Sequence, residues 1–245
     1  MSGPLRGLTL TDMGRLLSSH AEAVVGDPAI VSNEAFPFMG VIETHLTGKI
    51  PCRIARISFS GELAYEIYVA SDYGPAAMDL VWDIARPMDG CLYGLEALGA
   101  MRIEKGHVTA AELDGRVTIE DAGLGRMAST KKSYIGSTLR QRPELMREDR
   151  PRLVGVFPED RGETFNAGSI LCAADNVAGL GEGWITGVTH SPELGHWIGI
   201  GFIAGGSEAW AGKSVISSDP VRAGNVEVEI VSPHMLDPEG ERLHA

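Results

Sequence analysis

The sequence predicts an α+β protein in which a part made of strands and helices precedes a small antiparallel β-barrel. In the first part, alternating apolar residues around a short turn are followed by helical periodicity. In the second part, short β-like runs recur between glycines. The charge-rich segment 131–152 lies between them and is typical of a surface connection between domains. We therefore expect one domain over residues 1–140 and a barrel domain over residues 141–245.

The first part contains a predicted β-hairpin. Residues 53–59 and 62–69 both alternate between apolar and polar positions, and Ser60-Gly61 separates them. In the first run, one face carries Ala55, Ile57 and Phe59. In the second, one face carries Leu63, Tyr65, Ile67 and Val69, and the other carries Ala64, Glu66 and Tyr68. A two-residue turn would place Glu66 opposite Ala55 and diagonal to Arg53.

Two helices are expected after the hairpin. The first has Ser71 or Asp72 as a candidate cap and Pro75 in its first turn, and it ends at Arg86-Pro87. Its apolar residues recur at helical steps: Met78, Val81, Trp82 and Ala85. The second spans 95–105, with a stripe of Leu95, Leu98 and Met101, and Gly106 follows as its C-cap glycine.

The barrel prediction rests on six short runs with turn residues between them. They are 153–157, 169–172, 184–189, 197–203, 214–217 and 226–231. Such regularly spaced strands favour a small antiparallel barrel or sandwich.

Composition excludes several classes of protein. The chain has 245 residues, of which 44% are hydrophobic, and its 33 acidic against 21 basic residues give a net charge of −12. A nucleic-acid binder needs a basic surface, and so does a protein that binds an anionic membrane surface. We therefore expect neither nucleic acid nor a membrane as partner. The longest apolar stretch, 197–206, is shorter than the about 20 residues of a spanning helix. Residues 1–16 lack a secretory signal pattern, and the cysteines form no CxxC, so we expect reduced thiols in the cytoplasm.

The motifs of common catalytic sites are absent from the sequence. The glycine cluster 179–183 has Trp184 where a dinucleotide-binding fingerprint needs its third glycine. His190 and His196 do not have the spacing of a zinc site, and no cysteine lies beside a histidine. We therefore assign no metal site and no catalytic residue.

The carboxylate of Glu66 has two possible roles. It can form a surface ion pair with Arg53, which would contribute roughly 0–1 kcal/mol. Alternatively, a carboxylate presented from a rigid strand and flanked by tyrosine can bind a ligand that carries two adjacent N–H donors. The pattern of residues alone favours the ion pair.

Three motifs resemble those of the folate-binding aminomethyltransferase family, which includes the T-protein of the glycine cleavage system. They occur in the family's order: R-I-S-F-S-G-E-L-A-Y-E-I at 56–67, G-L-E-A-L-G-A-M-R-I-E-K-G at 94–106, and K-S-Y-I-G at 132–136. The resemblance implies an α+β folate domain followed by a small barrel.

A narrower resemblance covers nearly the whole chain. The segments 33–40, 57–67, 97–107 and 232–244 are similar to the C-terminal part of the α subunits of heterotetrameric sarcosine oxidases. This resemblance implies flavoprotein partner subunits in a hetero-oligomer. Flavin and NAD would then bind to partner subunits or to segments outside this chain.

The resemblance also implies specific ligand-binding residues. The family's pterin-binding glutamate matches Glu66, with Tyr65 beside it, so these two are the predicted tetrahydrofolate-binding residues. Arg102 and Glu104 match motif letters, and we expect them to have packing or ion-pair roles within the helix. The position of a folate-contacting arginine of the T-protein is occupied by Leu98, and the segment that carries the family's catalytic aspartate has no match. The chain therefore resembles only part of a folate-binding domain.

The expected function is the tetrahydrofolate-binding portion of a sarcosine-oxidase-type complex. In such a complex, the one-carbon unit from an oxidised N-methyl amine is captured as 5,10-methylenetetrahydrofolate, and this chain alone would be inactive. Two alternatives remain open: a non-catalytic assembly subunit that keeps the fold, and a folate-dependent aminomethyltransferase or demethylase.

Overall fold

The computed structural model describes residues 24–25, 27–222 and 224–244. The interpretation of residues 1–16 lies outside this range. The chain divides into two compact units. The first unit takes Met1–Leu98 together with Glu239–Ala245, and the second takes Gly99–Pro238. No helix among the described residues is long and apolar enough to span a membrane.

The first unit contains a three-stranded antiparallel sheet in the order β1-β2-β3. Its strands are β1 (Val41–Leu46), β2 (Ile50–Ala55) and β3 (Glu66–Val69). Ala55 pairs with Glu66, which is the register that the two-residue turn predicts. The ladder stops there, however, and residues 56–65 form a loop rather than the rest of a hairpin.

The sheet packs one face on a core with helix α1 (Gly74–Ala85). On β2 the buried residues of this core are Cys52 and Ile54. Of the predicted apolar face, Ala55 is buried but Phe59 is 40% exposed, so the prediction is wrong at Phe59. Tyr65, Ile67 and Val69 pack against the core as predicted. Further members are Val24, Val25, Val31, Phe36, Leu46, Ala77, Leu80 and Ile84.

Helix α1 differs from its prediction at both ends and on its inner face. Ser71 and Asp72 lie in a preceding 3-10 turn, so the N-cap is Tyr73, which makes no side-chain cap. The helix stops at Ala85 as expected, although Arg86 keeps right-handed α geometry and leads into another 3-10 turn. The residues that pack inward are Ala77, Leu80 and Ile84, while Met78 of the predicted stripe is 45% exposed.

Helix α2 (Leu95–Lys105) has the predicted bounds. Its burial is concentrated in the last turn, where Arg102, Ile103, Glu104 and Lys105 are all buried, whereas Leu95 of the predicted stripe is 86% exposed. Gly106 follows with φ +79°, the left-handed conformation that a C-cap glycine adopts.

The second unit contains a closed six-stranded barrel in the order β4-β7-β6-β5-β8-β9. All six predicted runs are strands of this barrel, and every pairing is antiparallel. The strands are β4 (Pro151–Pro158), β5 (Ile170–Ala173), β6 (Gly183–His190), β7 (Trp197–Ala204), β8 (Val215–Asp219) and β9 (Gly224–Val231). The α+β class with a C-terminal barrel is therefore confirmed.

The barrel encloses a continuous apolar core. Closing the sheet removes its free edges and turns alternate side chains inward. The fully buried residues include Val154, Val156, Leu171, Ile185, Ile203, Val215 and Val228. A short helix, α3 (Gly206–Trp210), follows β7, and the Trp210 Nε1–H donates to the Ala204 carbonyl at 2.8 Å. The predicted domain boundary at 140–141 falls within the second unit, before β4, and stays a prediction.

We expect two glycines at α2 to respond oppositely to alanine. At Gly106 a Cβ atom would lie 2.3 Å from the Pro233 carbonyl oxygen, and its positive φ is itself unfavourable to alanine. At Gly99, inside the helix, a Cβ atom would meet nothing within 4 Å. Gly106→Ala should lower the free energy of unfolding by on the order of 2–4 kcal/mol. Gly99→Ala should raise it by about 0.5–1 kcal/mol.

Urea unfolding followed by circular dichroism measures both changes. Equal effects of the two substitutions would contradict the assignment of Gly106 as a sterically required C-cap.

Candidate functional site

The first residue of β3, Glu66, presents an exposed carboxylate from the sheet. It stands opposite Ala55 of β2, and Tyr68 lies two residues further along the same strand face. The Tyr68 hydroxyl donates a hydrogen bond to Glu66 Oε2. The sheet therefore carries a carboxylate–phenol pair on its exposed face.

The electrostatics of this pair keep the phenol protonated. The hydrogen bond to Glu66 raises the pKa of Tyr68 above its ordinary value, and slight desolvation and the carboxylate charge act in the same direction. Among the described residues, no hydrogen bond reaches Glu66 Oε1. One oxygen of the carboxylate is thus anchored, and the other is open to a donor from a ligand.

The predicted ion pair between Glu66 and Arg53 does not form. Arg53 pairs directly with Glu43 of β1 in the sheet register, and its Nη2 lies 2.6 Å from Glu43 Oε1. Both side chains are exposed. Arg53, the cation expected to pair with Glu66, therefore pairs with Glu43 of β1 instead.

Tyr65 lies on the opposite face of the chain from Glu66. Its ring centroid is 6.0 Å from that of Phe36, and its hydroxyl points to the Val31 carbonyl at a long 3.4 Å. Burial raises the pKa of Tyr65, which keeps it neutral. The structure therefore does not bring the two predicted site residues to one face, and a ligand contact by Tyr65 stays a prediction.

A buried arginine holds the loop that leads to Glu66. Arg56 is only 1% exposed. Its Nη1 donates to the Phe36 carbonyl at 2.8 Å, and its Nη2 donates to the Leu243 carbonyl at 3.1 Å. The guanidinium thus joins three segments of the first unit: residues 33–40, the motif at 56–67 and the C-terminal residues.

A second buried charge fixes the middle of the same loop. Glu62 is 7% exposed and accepts a hydrogen bond from Arg242 Nη1 at 2.9 Å. The Gly61 N–H donates to Ser58 Oγ at 2.9 Å. Local sequence pattern assigns no role to Arg56 or Glu62. The available signal was that both are letters of the family motif at 56–67.

A surface groove of about 510 Å³ lies on the same sheet beside Tyr68. Its volume is in the range of small-molecule sites, which is about 300–1,000 Å³. Tyr68 belongs both to this groove and to the pair with Glu66. The remaining lining residues are Glu43, Thr44, His45, Pro51, Cys52, Arg53, Val69 and Ala70.

The motif residues of α2 have structural roles within the second unit. Arg102 Nη1 lies 2.9 Å from Glu112 Oε2, and both side chains are nearly buried. Glu104 accepts a hydrogen bond from Ser191. Arg102 forms an ion pair as expected, but the expectation that both residues act within the helix was wrong, because Glu112 and Ser191 lie outside it.

Glu112 is the centre of this buried network. Its Oε2 accepts hydrogen bonds from Thr109 N at 2.7 Å and Thr109 Oγ1 at 2.9 Å, and its Oε1 accepts one from Thr186 Oγ1 at 2.5 Å. Burial alone raises the pKa of Glu112, but these hydrogen bonds and the charge of Arg102 outweigh it. The pKa therefore lies below its ordinary value, and Glu112 is ionised at neutral pH.

No group of three or more His, Cys, Asp or Glu side chains is placed to hold a metal ion in the part of the chain that the structure describes. The three cysteines are free thiols, with Cys52 and Cys172 buried and Cys91 exposed. The site therefore consists of one carboxylate, its phenol partner and the groove beside them.

The fold is that of an aminomethyltransferase. The structure is similar to the glycine cleavage system aminomethyltransferase T from Bartonella henselae, with a TM-score of 0.68 over 92% of this chain and 57% of that one. Their sequence identity is 20%, so this likeness concerns the fold. Residues 19–132 match the family described as GCVT N-terminal domain.

Curated relatives extend the comparison to nearly the whole chain. Sarcosine oxidase subunit alpha from Rhizobium meliloti (strain 1021) is 36% identical over 87% of this chain, and that from Corynebacterium sp. (strain U-96) is 37% identical over 86%. The aminomethyltransferase of Corynebacterium jeikeium (strain K411) is 30% identical over 74%. Residues 19–132 thus match the GCVT N-terminal domain family, and the chain is similar both to aminomethyltransferases and to one part of sarcosine oxidase alpha subunits.

The match covers only part of each relative. The chain spans 22% of the length of either sarcosine oxidase subunit and 44% of the aminomethyltransferase from Corynebacterium jeikeium. The activity of each whole relative is therefore the property of a longer sequence than the part that this chain matches.

We expect removal of the Glu112 charge to destabilise the second unit and to change its acid response. Breaking a buried ion pair costs about 3–5 kcal/mol, so Glu112→Gln should lower the free energy of unfolding by that amount at neutral pH. Because the folded-state pKa is lowered, the stabilisation is present above the unfolded pKa of about 4.3. It is lost as the pH falls through the folded value.

Urea unfolding measured between neutral and acidic pH should therefore show that acid lowers the free energy of unfolding less for Glu112→Gln than for the wild type. The matched control is Glu144→Gln, whose ion pair with Arg147 is exposed and should contribute no more than about 1 kcal/mol. Identical pH profiles for wild type and Glu112→Gln would contradict this assignment.

Proposed function

We propose that this chain is the tetrahydrofolate-binding portion of a sarcosine-oxidase-type complex. In that complex, the one-carbon unit of an oxidised N-methyl amine is captured as 5,10-methylenetetrahydrofolate. The observation that supports this proposal most directly is the exposed Glu66 carboxylate at the start of β3, at the position that matches the family's pterin-binding glutamate. The similarity to sarcosine oxidase alpha subunits supports the type of complex.

The residues present fit a pterin ring. A pterin carries adjacent ring and amino N–H donors, and a carboxylate is the side chain best suited to accept from such a pair. Oε1 of Glu66 is open, whereas Oε2 accepts from Tyr68. Tyr68 is exposed and its hydroxyl can turn towards a ligand atom, which would release Oε2 for a second hydrogen bond.

The chain's own contribution is binding and orientation. Glu66 would hold the pterin, and Tyr65 would stiffen the strand from the core side through its contact with Phe36. The buried side chains Arg56 and Glu62 fix the loop before β3, so little ordering is required when a ligand binds. The bound folate itself supplies the acceptor for the one-carbon unit.

The flavoprotein subunits of the complex supply the oxidation in this proposal. Flavin and NAD bind to those partners or to segments outside this chain, and sarcosine is the N-methyl amine that the relatives' name indicates. The similarity to sarcosine oxidase alpha subunits, which are named as subunits, supports a contribution to a larger assembly. We expect no turnover of sarcosine by the chain alone.

Calorimetric titration with tetrahydrofolate tests the binding role of Glu66. Glu66→Ala should weaken binding by at least tenfold, because a hydrogen bond to a charged group contributes about 1.5–3 kcal/mol. The matched control is Asp79→Ala, which removes an exposed carboxylate from α1 of the same unit and should change the dissociation constant less than twofold.

Two outcomes would contradict the proposal. Equal weakening by both substitutions would mean that net charge, rather than the Glu66 position, governs binding. The absence of any saturable signal, with the flavoprotein subunits present as well as without them, would favour a non-catalytic assembly subunit.

A further inference from the structure

The second unit contains a polar pocket that the folate proposal does not use. It has a volume of about 450 Å³ and is formed by one continuous stretch of chain that includes the K-S-Y-I-G motif. Its lining residues are Ser129, Thr130, Lys131, Lys132, Ser133, Tyr134, Ser137, Thr138, Arg140 and Gln141. Six of these ten carry an aliphatic hydroxyl or a phenol, and none carries a carboxylate.

The charge of this pocket opposes that of the chain. The chain has a net charge of −12, yet three cations line the pocket, which we call the basic pocket. Lys131 and Lys132 are exposed, and neither makes an ion pair with any described residue. In a chain with an excess of carboxylates, two adjacent lysines without a partner form a local positive potential that attracts an anion.

The third cation that lines the basic pocket is Arg140, and its side chain is held in place. Arg140 Nη1 donates to the Tyr134 hydroxyl at 2.6 Å, and Arg140 Nη2 lies 2.8 Å from Glu120 Oε1. The Tyr134 oxygen therefore acts as an acceptor, and its own proton remains to be donated. The arginine is held on both sides and is only 27% exposed.

The backbone that carries the two lysines is also fixed. Ser129 Oγ accepts hydrogen bonds from the N–H groups of Lys131 and Lys132 at 3.2 and 3.3 Å. The lysines therefore project from a defined turn, whereas the hydroxyls of Thr130, Ser133 and Ser137 make no hydrogen bond with a described residue. These hydroxyls are available as donors.

The set of donors distinguishes between classes of anion. A free guanidinium fork binds a carboxylate or a phosphate in bidentate fashion, but the Arg140 fork is already occupied by Tyr134 and Glu120, so an anion here has to be held by the other donors. Two ammonium groups and several hydroxyls instead supply donors from many directions, as the oxygens of a tetrahedral anion require. We propose that the basic pocket binds a phosphate group, either as free phosphate or as the phosphate ester of a small molecule.

Titration calorimetry at constant ionic strength tests this proposal with two probes, inorganic phosphate and glycerol 3-phosphate. Saturable binding of either probe is expected for the wild-type chain. Lys131→Gln/Lys132→Gln should weaken it at least tenfold, and Lys131→Arg/Lys132→Arg, which keeps both charges, should restore most of it. The matched control is Lys49→Gln/Lys213→Gln, which removes the charges of two lysines that do not line the basic pocket and should change binding less than twofold.

The two probes also identify the source of the phosphate. Tighter binding of glycerol 3-phosphate supports a phosphate ester as the ligand, and tighter binding of inorganic phosphate supports the free anion. The proposal is overturned if neither probe gives saturable binding, or if both glutamine double variants weaken binding equally. It is also overturned if triglutamate, whose anionic groups are planar carboxylates, binds while the phosphates do not. Because no tetrahydrofolate is used, the result does not depend on the role of Glu66.

Discussion

The first unit depends on a buried guanidinium group. Arg56 is removed from water, and burying a cation is costly unless the protein supplies hydrogen bonds to it. The Phe36 and Leu243 carbonyls accept from Nη1 and Nη2, whereas the buried Nε–H has no hydrogen-bond partner among the described residues. These carbonyls come from segments far apart in sequence, so the two hydrogen bonds require residues 33–40 and the C-terminal residues to meet the motif loop. Glu62 with Arg242 makes a second link of the same kind, and together they fix where β3 begins.

The last turn of helix α2 is also held in the second unit by buried charged side chains that have specific partners. This turn buries Arg102 and Glu104, whose partners are Glu112 and Ser191. Lys105 adds a buried ion pair with Asp237 at 3.0 Å. Charged residues therefore occupy positions that an amphipathic helix would normally fill with apolar side chains, and each has a specific partner. Such networks make the position of an element depend on geometry as well as on buried area.

The proposed ligand-binding carboxylate is placed by a short-range and a long-range effect. The strand alternation puts Glu66 and Tyr68 on one face, so that the phenol can hold one carboxylate oxygen. The pairing of Arg53 with Glu43 leaves Glu66 without a cation from the neighbouring strand. A carboxylate that is not neutralised within its own sheet keeps its capacity to accept hydrogen bonds from a ligand. The candidate site therefore depends on β1, which carries Glu43, as well as on β3 itself.

The sequence by itself determined the α+β class, the six barrel strands, the bounds of α2 and the opposition of Ala55 and Glu66, because periodicity, turn residues and the C-cap glycine are local signals. A motif also singled out Glu66 as a candidate ligand-binding residue, which stays a prediction. Only the tertiary structure decided which face of α1 packs inward, that Tyr65 faces the core, and that Arg56 and Glu62 are buried. These features depend on partners that are distant in sequence, such as the Leu243 carbonyl and Arg242. No local pattern specifies which distant group will satisfy a buried charge.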